Sequence, residues 1–413
     1  MIALFAMIAF VTNLCTPMAT IIKNQGPISN VLAQIGNYGN FVAYLIMGIP
    51  AGMLISKFGY KKTALIGLAV GATGIIIQWV SGLLDVEQNL GLVFAVYLIG
   101  AFIAGLCMCI LNCVVNPMLN LLGGGGNSGN QLIQIGGVFN SSAAVACYIL
   151  MGALIADASK AKIADATPAL MIALAIFVIA FIVISFTKIE EPEQAPVELS
   201  LIKGAMSYRH FALGALAIFL YMGIEVGVPN FVQQYLIADG IPAGTVGMLV
   251  AVYWFMMLIG RFVGAGIGNK VSSRAMITTV SIATLVLVLF GMYAPTDVIV
   301  SFPGVDWGKL ELIWQPIPVG IFSFLLVGLC TSVMWGGIFN LAVEGLGKYT
   351  EKGAGIFMAM VCGGGILPFV QNAVVDWTGS YLTSYWVIVA GLAFLLYYAL
   401  VGSKNVNKDI PTA

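Results

Sequence analysis

Long apolar runs, broken at near-regular intervals by short polar segments, dominate this chain. Twelve of them lie near residues 2–22, 35–56, 63–82, 92–121, 132–156, 168–187, 210–236, 244–267, 275–294, 316–341, 354–375 and 382–402. About 20 residues at 1.5 Å rise cross the hydrocarbon of a bilayer. A membrane β-barrel would instead alternate apolar and polar positions. The pattern predicts an all-α membrane protein with twelve transmembrane helices.

The longest polar connection, Thr187 to Tyr208, carries Glu190, Glu191, Glu193 and Glu198 with Pro192 and Pro196. It divides six runs from six. The expected organisation is an N-terminal six-helix bundle over 1–187, a cytoplasmic linker over 188–208 and a second bundle with a short tail over 209–413. Weak self-similarity makes the two bundles pseudo-symmetric. The second run ends Ala51-Gly52-Met53-Leu54-Ile55-Ser56-Lys57-Phe58-Gly59-Tyr60-Lys61-Lys62, and the eighth ends Gly264-Ala265-Gly266-Ile267-Gly268-Asn269-Lys270-Val271-Ser272-Ser273-Arg274. Lys57 matches Lys270 and Lys61 matches Arg274, each pair 213 residues apart. A glycine-bearing helix end followed by a tight basic loop, repeated between halves, is the internal symmetry that secondary transporters show.

Composition sharpens this picture. With 60% hydrophobic and 8% charged residues, the chain suits lipid rather than a soluble core. Its 49 glycines suit close helix packing there. Net charge is zero, but placement is biased. Lys57, Lys61, Lys62, Lys188, Lys203, Arg209, Lys270, Arg274, Lys348, Lys352, Lys404 and Lys408 share one side of a twelve-span arrangement. Lys23, Lys160, Lys162 and Lys309 lie on the other. That bias places both termini in the cytoplasm, in the inner (plasma) membrane of a bacterium. The first run, without a basic leader or cleavage site, reads as a retained span. Seven cysteines all fall within runs, so no disulfide framework is expected. Cys109 and Cys113 are one turn apart but read as packing residues, and His210 as interfacial.

Against this background Glu225 stands out, the one acid deep inside a run. An acid at mid-membrane costs about 2.5–3.5 kcal/mol on insertion scales. It is either a group that gains and loses a proton during a transport cycle or a structural acid bonded to a neighbouring helix. Pro229 and Gln233 follow at i+4 steps, and Pro229 removes an intrahelical hydrogen bond, as in broken helices that line cavities. Asn112, Asn116 and Asn120 form a stripe on the fourth run. Such amides match sugar hydroxyls without a charge penalty, or serve as interhelical glue. Asn37 and Asn40 on the second run pose the same alternative, as do Gln134 and Asn140 on the fifth. Trp254 and Trp335 lie inside runs, suited to stacking on a pyranose face or to core packing. Trp314 and Trp377 read as interface anchors. Gln371 and Asn372 either guard an entrance or face headgroups. The segment Gly123 to Gly129 lacks the lysine of a P-loop. No cofactor or metal site, enzymatic constellation or nucleic-acid surface is visible.

Several stretches carry a resemblance. The loop after the second run resembles the signature of the major facilitator superfamily, with Ser56 where an aspartate is usual. More specifically, the chain resembles the fucose:proton symporter family, which includes glucose/galactose permeases. The matching residues are Ile49-Pro50-Ala51-Gly52 with Lys57-Phe58-Gly59-Tyr60-Lys61, Asn116-Pro117, Phe139-Asn140-Ser141, Gly223-Ile224-Glu225-Val226, Gly260-Arg261-Phe262-Val263-Gly264, Ile338-Phe339-Asn340-Leu341 and Gly345-Leu346-Gly347-Lys348-Tyr349. There are departures. Asn112 stands where the family carries an acid, the Asn-Asp pair of the first span is replaced near Cys15 and Thr16, and Gln134 and Gly137 replace an Asn and a Gln. The resemblance implies import of a small neutral sugar by alternating access between the bundles, with proton or sodium as co-substrate, in a monomer. Asn112, Asn116, Gln134, Asn140, Gln233, Trp254 and Trp335 would bind substrate and Glu225 would couple or gate. Gly52, Lys57, Gly59, Lys61, Lys62, Arg261, Lys270 and Arg274 would form a cytoplasmic gate. Alternatives are a uniporter or symporter for another polar solute such as a nucleoside, a multidrug exporter, or a non-transporting membrane sensor.

Overall fold

The structure is a computed structural model that describes residues 1–23, 29–84, 86–122, 126–154, 161–189, 204–267, 271–306, 311–346 and 350–406. Helix α1 spans Ile2–Lys23 and ends on a lysine that suits the negative pole of the helix. Helix α2, Ile35–Leu83, holds two of the expected runs, folded back at Gly59. There φ is 79°, a left-handed conformation that glycine adopts without steric cost. Helices α3 (Val86–Leu122), α4 (Gly126–Leu154) and α5 (Thr167–Phe186) complete the first half. Pro168 starts α5, where its missing N–H removes nothing.

Helices α6 (Arg209–Ala238), α7 (Ala243–Ile267) and α8 (Ser273–Tyr293) follow. Ser272 caps α8 by accepting the Ala275 N–H. Then come α9 (Val319–Thr331), α10 (Met334–Val343), α11 (Thr350–Met360), α12 (Gly363–Thr378) and α13 (Trp386–Tyr397). Among the described residues, ten helices are long and apolar enough to cross a membrane.

Two expectations are corrected. The fold is not purely helical, because strands β1 (Ile299–Asp306) and β2 (Glu311–Pro318) pair antiparallel. Prolines at 303, 316 and 318 bar a helix here, and both strands are edges that tolerate missing N–H groups. The tenth run therefore enters as a strand. It also breaks between Thr331 and Met334, and the eleventh breaks between Met360 and Gly363.

Lipid tails are as apolar as leucine, so these helices associate through close packing and polar pairs rather than hydrophobic burial. The buried apolar side chains form two clusters. One runs from Leu4 to Ile184 and includes Leu68, Met108 and Phe177. The other includes Phe211, Tyr221, Phe324 and Leu395. Helices cross between them: Ala144 and Tyr148 of α4 join the second cluster, and Val361 joins the first. The seam is tight. A Cβ at Gly48 of α2 would sit 2.9 Å from the Ala359 nitrogen of α11. Chain direction puts Lys23, Gln34, Asn230 and Asp376 at one end of the bundle and Lys57, Lys61 and Arg209 at the other.

Candidate functional site

Glu225 is buried at the middle of α6. Pro229, four residues on, has no N–H to give the Glu225 carbonyl, so that oxygen lacks its helical partner. The structure supplies another. The Tyr253 hydroxyl of α7 donates to the Glu225 carbonyl at 3.0 Å and lies 3.2 Å from Thr331 Oγ1 at the end of α9. The hydrogen bond missing from the otherwise continuous α6 is thus supplied by α7, whose tyrosine also meets α9. The Glu225 carboxylate itself interacts with the Tyr221 hydroxyl one turn earlier and with the Arg261 guanidinium of α7.

Arg261 also donates to the Gly137 carbonyl of α4. A Cβ at position 137 would lie 3.0 Å from Arg261 Nη1, so the glycine makes room for this approach. Trp335 of α10 tilts against Tyr221 with ring centroids 6.3 Å apart. Trp335 and Met222 are packed against both apolar clusters, which places them at the seam. Trp254 is buried edge-on to Tyr253, 5.4 Å between centroids, and its indole N–H has no protein partner. Gln233 is buried on α6 one turn past Pro229.

The amides of the first half are engaged differently. Asn112 donates to the Tyr44 hydroxyl at 2.9 Å, joining α3 to α2. Asn116 bonds back to the Asn112 carbonyl at 3.0 Å, and Asn140 reaches the Phe5 carbonyl of α1 at 2.9 Å. All three are half-buried. The side chains of Gln134 and Asn120 lie outside the described residues.

The described residues of the basic motif make separate contacts. Lys61 caps the end of α5, donating to the Ser185 carbonyl at 3.0 Å and the Thr187 carbonyl at 2.8 Å. Lys57 and Lys62 are exposed near the Gly59 turn, with Lys57 Nζ over the Phe58 ring, and Gly52 is half-buried one helical stretch before it. Arg274 starts α8, its Nε buried without a partner. Lys270 lies outside the described residues. Arg261 lies inside α7 and reaches the Gly137 carbonyl of α4, within electrostatic range of Glu225.

Two further readings are corrected. His210 is fully buried, its Nε2 2.9 Å from the Glu344 carbonyl, because the start of α6 packs under the end of α10. Gln371 and Asn372 do not face headgroups; both are fully buried on α12, and Gln371 packs beside Gly227 and Ile388. Tyr44, Tyr221, Tyr253 and Thr331 escaped the sequence reading. Tyr221 is detectable as the residue one turn before Glu225, but Tyr253 and Thr331 have no local signal.

The profile of the Major Facilitator Superfamily matches residues 1–369. The chain belongs to the Major Facilitator Superfamily. Its membership makes it a membrane transporter and not an enzyme. This major facilitator is 29% identical over 412 residues to a glucose/galactose transporter of Brucella abortus, covering 97% of this chain and 93% of that one. It is 20% identical over 435 residues to the L-fucose-proton symporter of Escherichia coli, covering 98% and 93%. Among solved folds, the outward-conformation crystal structure of FucP superposes with a TM-score of 0.68 at 21% identity, covering 98% of this chain and 99% of the other. The inward-open xylose transporter XylE of E. coli gives 0.67 at 12% identity, covering 99% and 96%.

Proposed function

We propose that this chain is a secondary active transporter that imports a small neutral sugar by alternating access, coupled to a cation. The observation that carries the reading is Glu225: a buried carboxylate four residues before a proline within one helix, within electrostatic range of an arginine and a tyrosine at the seam between two packed clusters. Charged groups inside membrane bundles mark ion and substrate pathways. The relatives named for glucose/galactose and fucose-proton transport support the substrate class and the co-substrate.

Glu225 takes and releases the coupling proton, alternately breaking and remaking its interaction with Arg261. Trp254 and Trp335 stack on the sugar ring, with the free Trp254 N–H offered to a hydroxyl, a concave apolar site with few polar groups. Asn112, Asn116, Gln134, Asn140 and Gln233 contribute hydrogen bonds. Twelve spans in two six-helix bundles, 1–187 and 209–413, complete the reading. Two features support the count: Gly59 divides the 49-residue α2 into two rods, and α1 is a further apolar helix of 22 residues. The basic end that carries Lys57 faces the cytoplasm of a bacterium by the positive-inside rule.

Counterflow in proteoliposomes against a panel of neutral sugars and nucleosides tests this. Exchange of a hexose or deoxyhexose is the expected result. Exchange of nucleosides or drugs with no sugar exchange would overturn it.

A further inference from the structure

The end opposite Lys57 is closed by polar bonds that cross from one half to the other. The Asp376 carboxylate, near the end of α12, accepts the Asn30 backbone N–H at 3.0 Å, the Val31 N–H at 3.1 Å and the Asn30 side-chain amide at 2.7 Å. Lys23, the last residue of α1, donates to Asn30 Oδ1 and, at 3.0 Å, to the Tyr381 hydroxyl. Tyr381 donates to the same Asn30 oxygen at 3.1 Å. One layer deeper, Gln34 and Asn230 exchange amide bonds at 3.1 and 3.2 Å, and Gln234 donates to Asn230 at 3.0 Å. These three amides are buried, whereas Asp376 is exposed.

We propose that Asp376 is the latch of this face, a positioning residue that holds the Asn30–Ala33 turn of the first half against α12 of the second. Its release is a step in opening that face. The chemistry suits a reversible latch. One carboxylate offers two acceptor oxygens to three donors at once, which a neutral amide cannot do. Its exposure lets water replace each bond as it breaks, so opening strands no buried polar group. The amide layer beneath can then part only after the latch has moved, because it is sealed from water while Asn30 is held. Such a two-state contact at a seam is how rocking of packed bodies is gated.

The test uses the full chain in sided membrane vesicles. In an Asn30→Cys/Asp376→Cys variant, copper phenanthroline should form a cross-link that stops solute exchange, and a reductant should restore it. The parent chain, whose described cysteines are unpaired, serves as control. Absence of the cross-link would overturn the contact. Independently, an Asn37→Cys reporter lies beneath the latch at 1% exposure. Adding Asp376→Asn should speed its labelling by an impermeant maleimide, applied from the Asp376 side, by about tenfold, and Asp376→Glu should restore slow labelling. An unchanged labelling rate in folded Asp376→Asn protein would overturn the latch. If that variant does not fold, the cross-link decides. Formation of the cross-link and the labelling rate do not depend on which solute is carried, so either reading can fail without the other.

Discussion

Asn112, Asn116 and Asn140 each spend an amide donor inside the first half, on Tyr44, on the Asn112 carbonyl and on the Phe5 carbonyl. Glu225 in the second half draws on groups from other helices: the Arg261 guanidinium of α7 at its carboxylate, and the Tyr253 hydroxyl at its carbonyl. Both sets are polar groups in apolar helices, but their demands differ. A neutral amide is satisfied by one neighbour, and such bonds in membrane bundles are worth about 0.6 kcal/mol. A buried charge needs a counter-charge, and its environment must be assembled from several helices. For the fold, the amides are therefore replaceable parts and the carboxylate is not.

The sharpest test of that contrast is Glu225→Gln. It keeps size and hydrogen bonding but removes titration, so sugar exchange should survive while accumulation driven by a pH gradient falls to background. Retained accumulation by folded protein would remove Glu225 from coupling. Next in size is Arg261→Ala, which removes a positive charge acting on the carboxylate. Losing its charged hydrogen bond to the Gly137 carbonyl and its electrostatic support of Glu225 should lower thermal stability in detergent by about 1–3 kcal/mol. The double variant with Glu225→Gln should recover part of that loss; equal losses would show that Arg261 acts only through Gly137.

A smaller effect is expected for Tyr253→Phe, which leaves the Glu225 carbonyl without its replacement donor and costs about 1–2 kcal/mol in the same melting assay. Smallest is Asn112→Ala, at about 0.6 kcal/mol. Tyr44→Phe should match it, and the pair should cost no more than either alone, since they share one bond. A rise of about tenfold in the sugar KM of Asn112→Ala, equivalent to about 1.4 kcal/mol, should accompany this small stability loss, because the proposed site gives the amide a hydrogen bond to the sugar; an unchanged KM would leave it a purely structural amide.

Much of this was legible in one dimension. Apolar run length located the spans, because a helix in lipid must satisfy its own backbone and so shows as an unbroken apolar stretch. Glu225 and Pro229 announced themselves for the same reason: each is costly there unless something compensates. Gly59 marked the tight fold between two spans. The local pattern did not reveal what compensates. His210 looked interfacial and is buried. Arg261 was grouped with the cytoplasmic gate, and its bond to the Gly137 carbonyl of α4 had no local signal.

The sequence by itself determined which segments lie in lipid and which polar residues lack an obvious partner, since both follow from the local cost of desolvation. Tertiary structure alone decided the partners: Tyr253 for the carbonyl freed by Pro229, and Asp376 for Asn30, 346 residues away. It also decided the breaks in the tenth and eleventh runs and the β-hairpin before α9. The physical reason is that helices apolar on most faces carry no stripe to orient them. In lipid, which face meets which is set by close fit and a few long-range hydrogen bonds, and neither has a period along the chain.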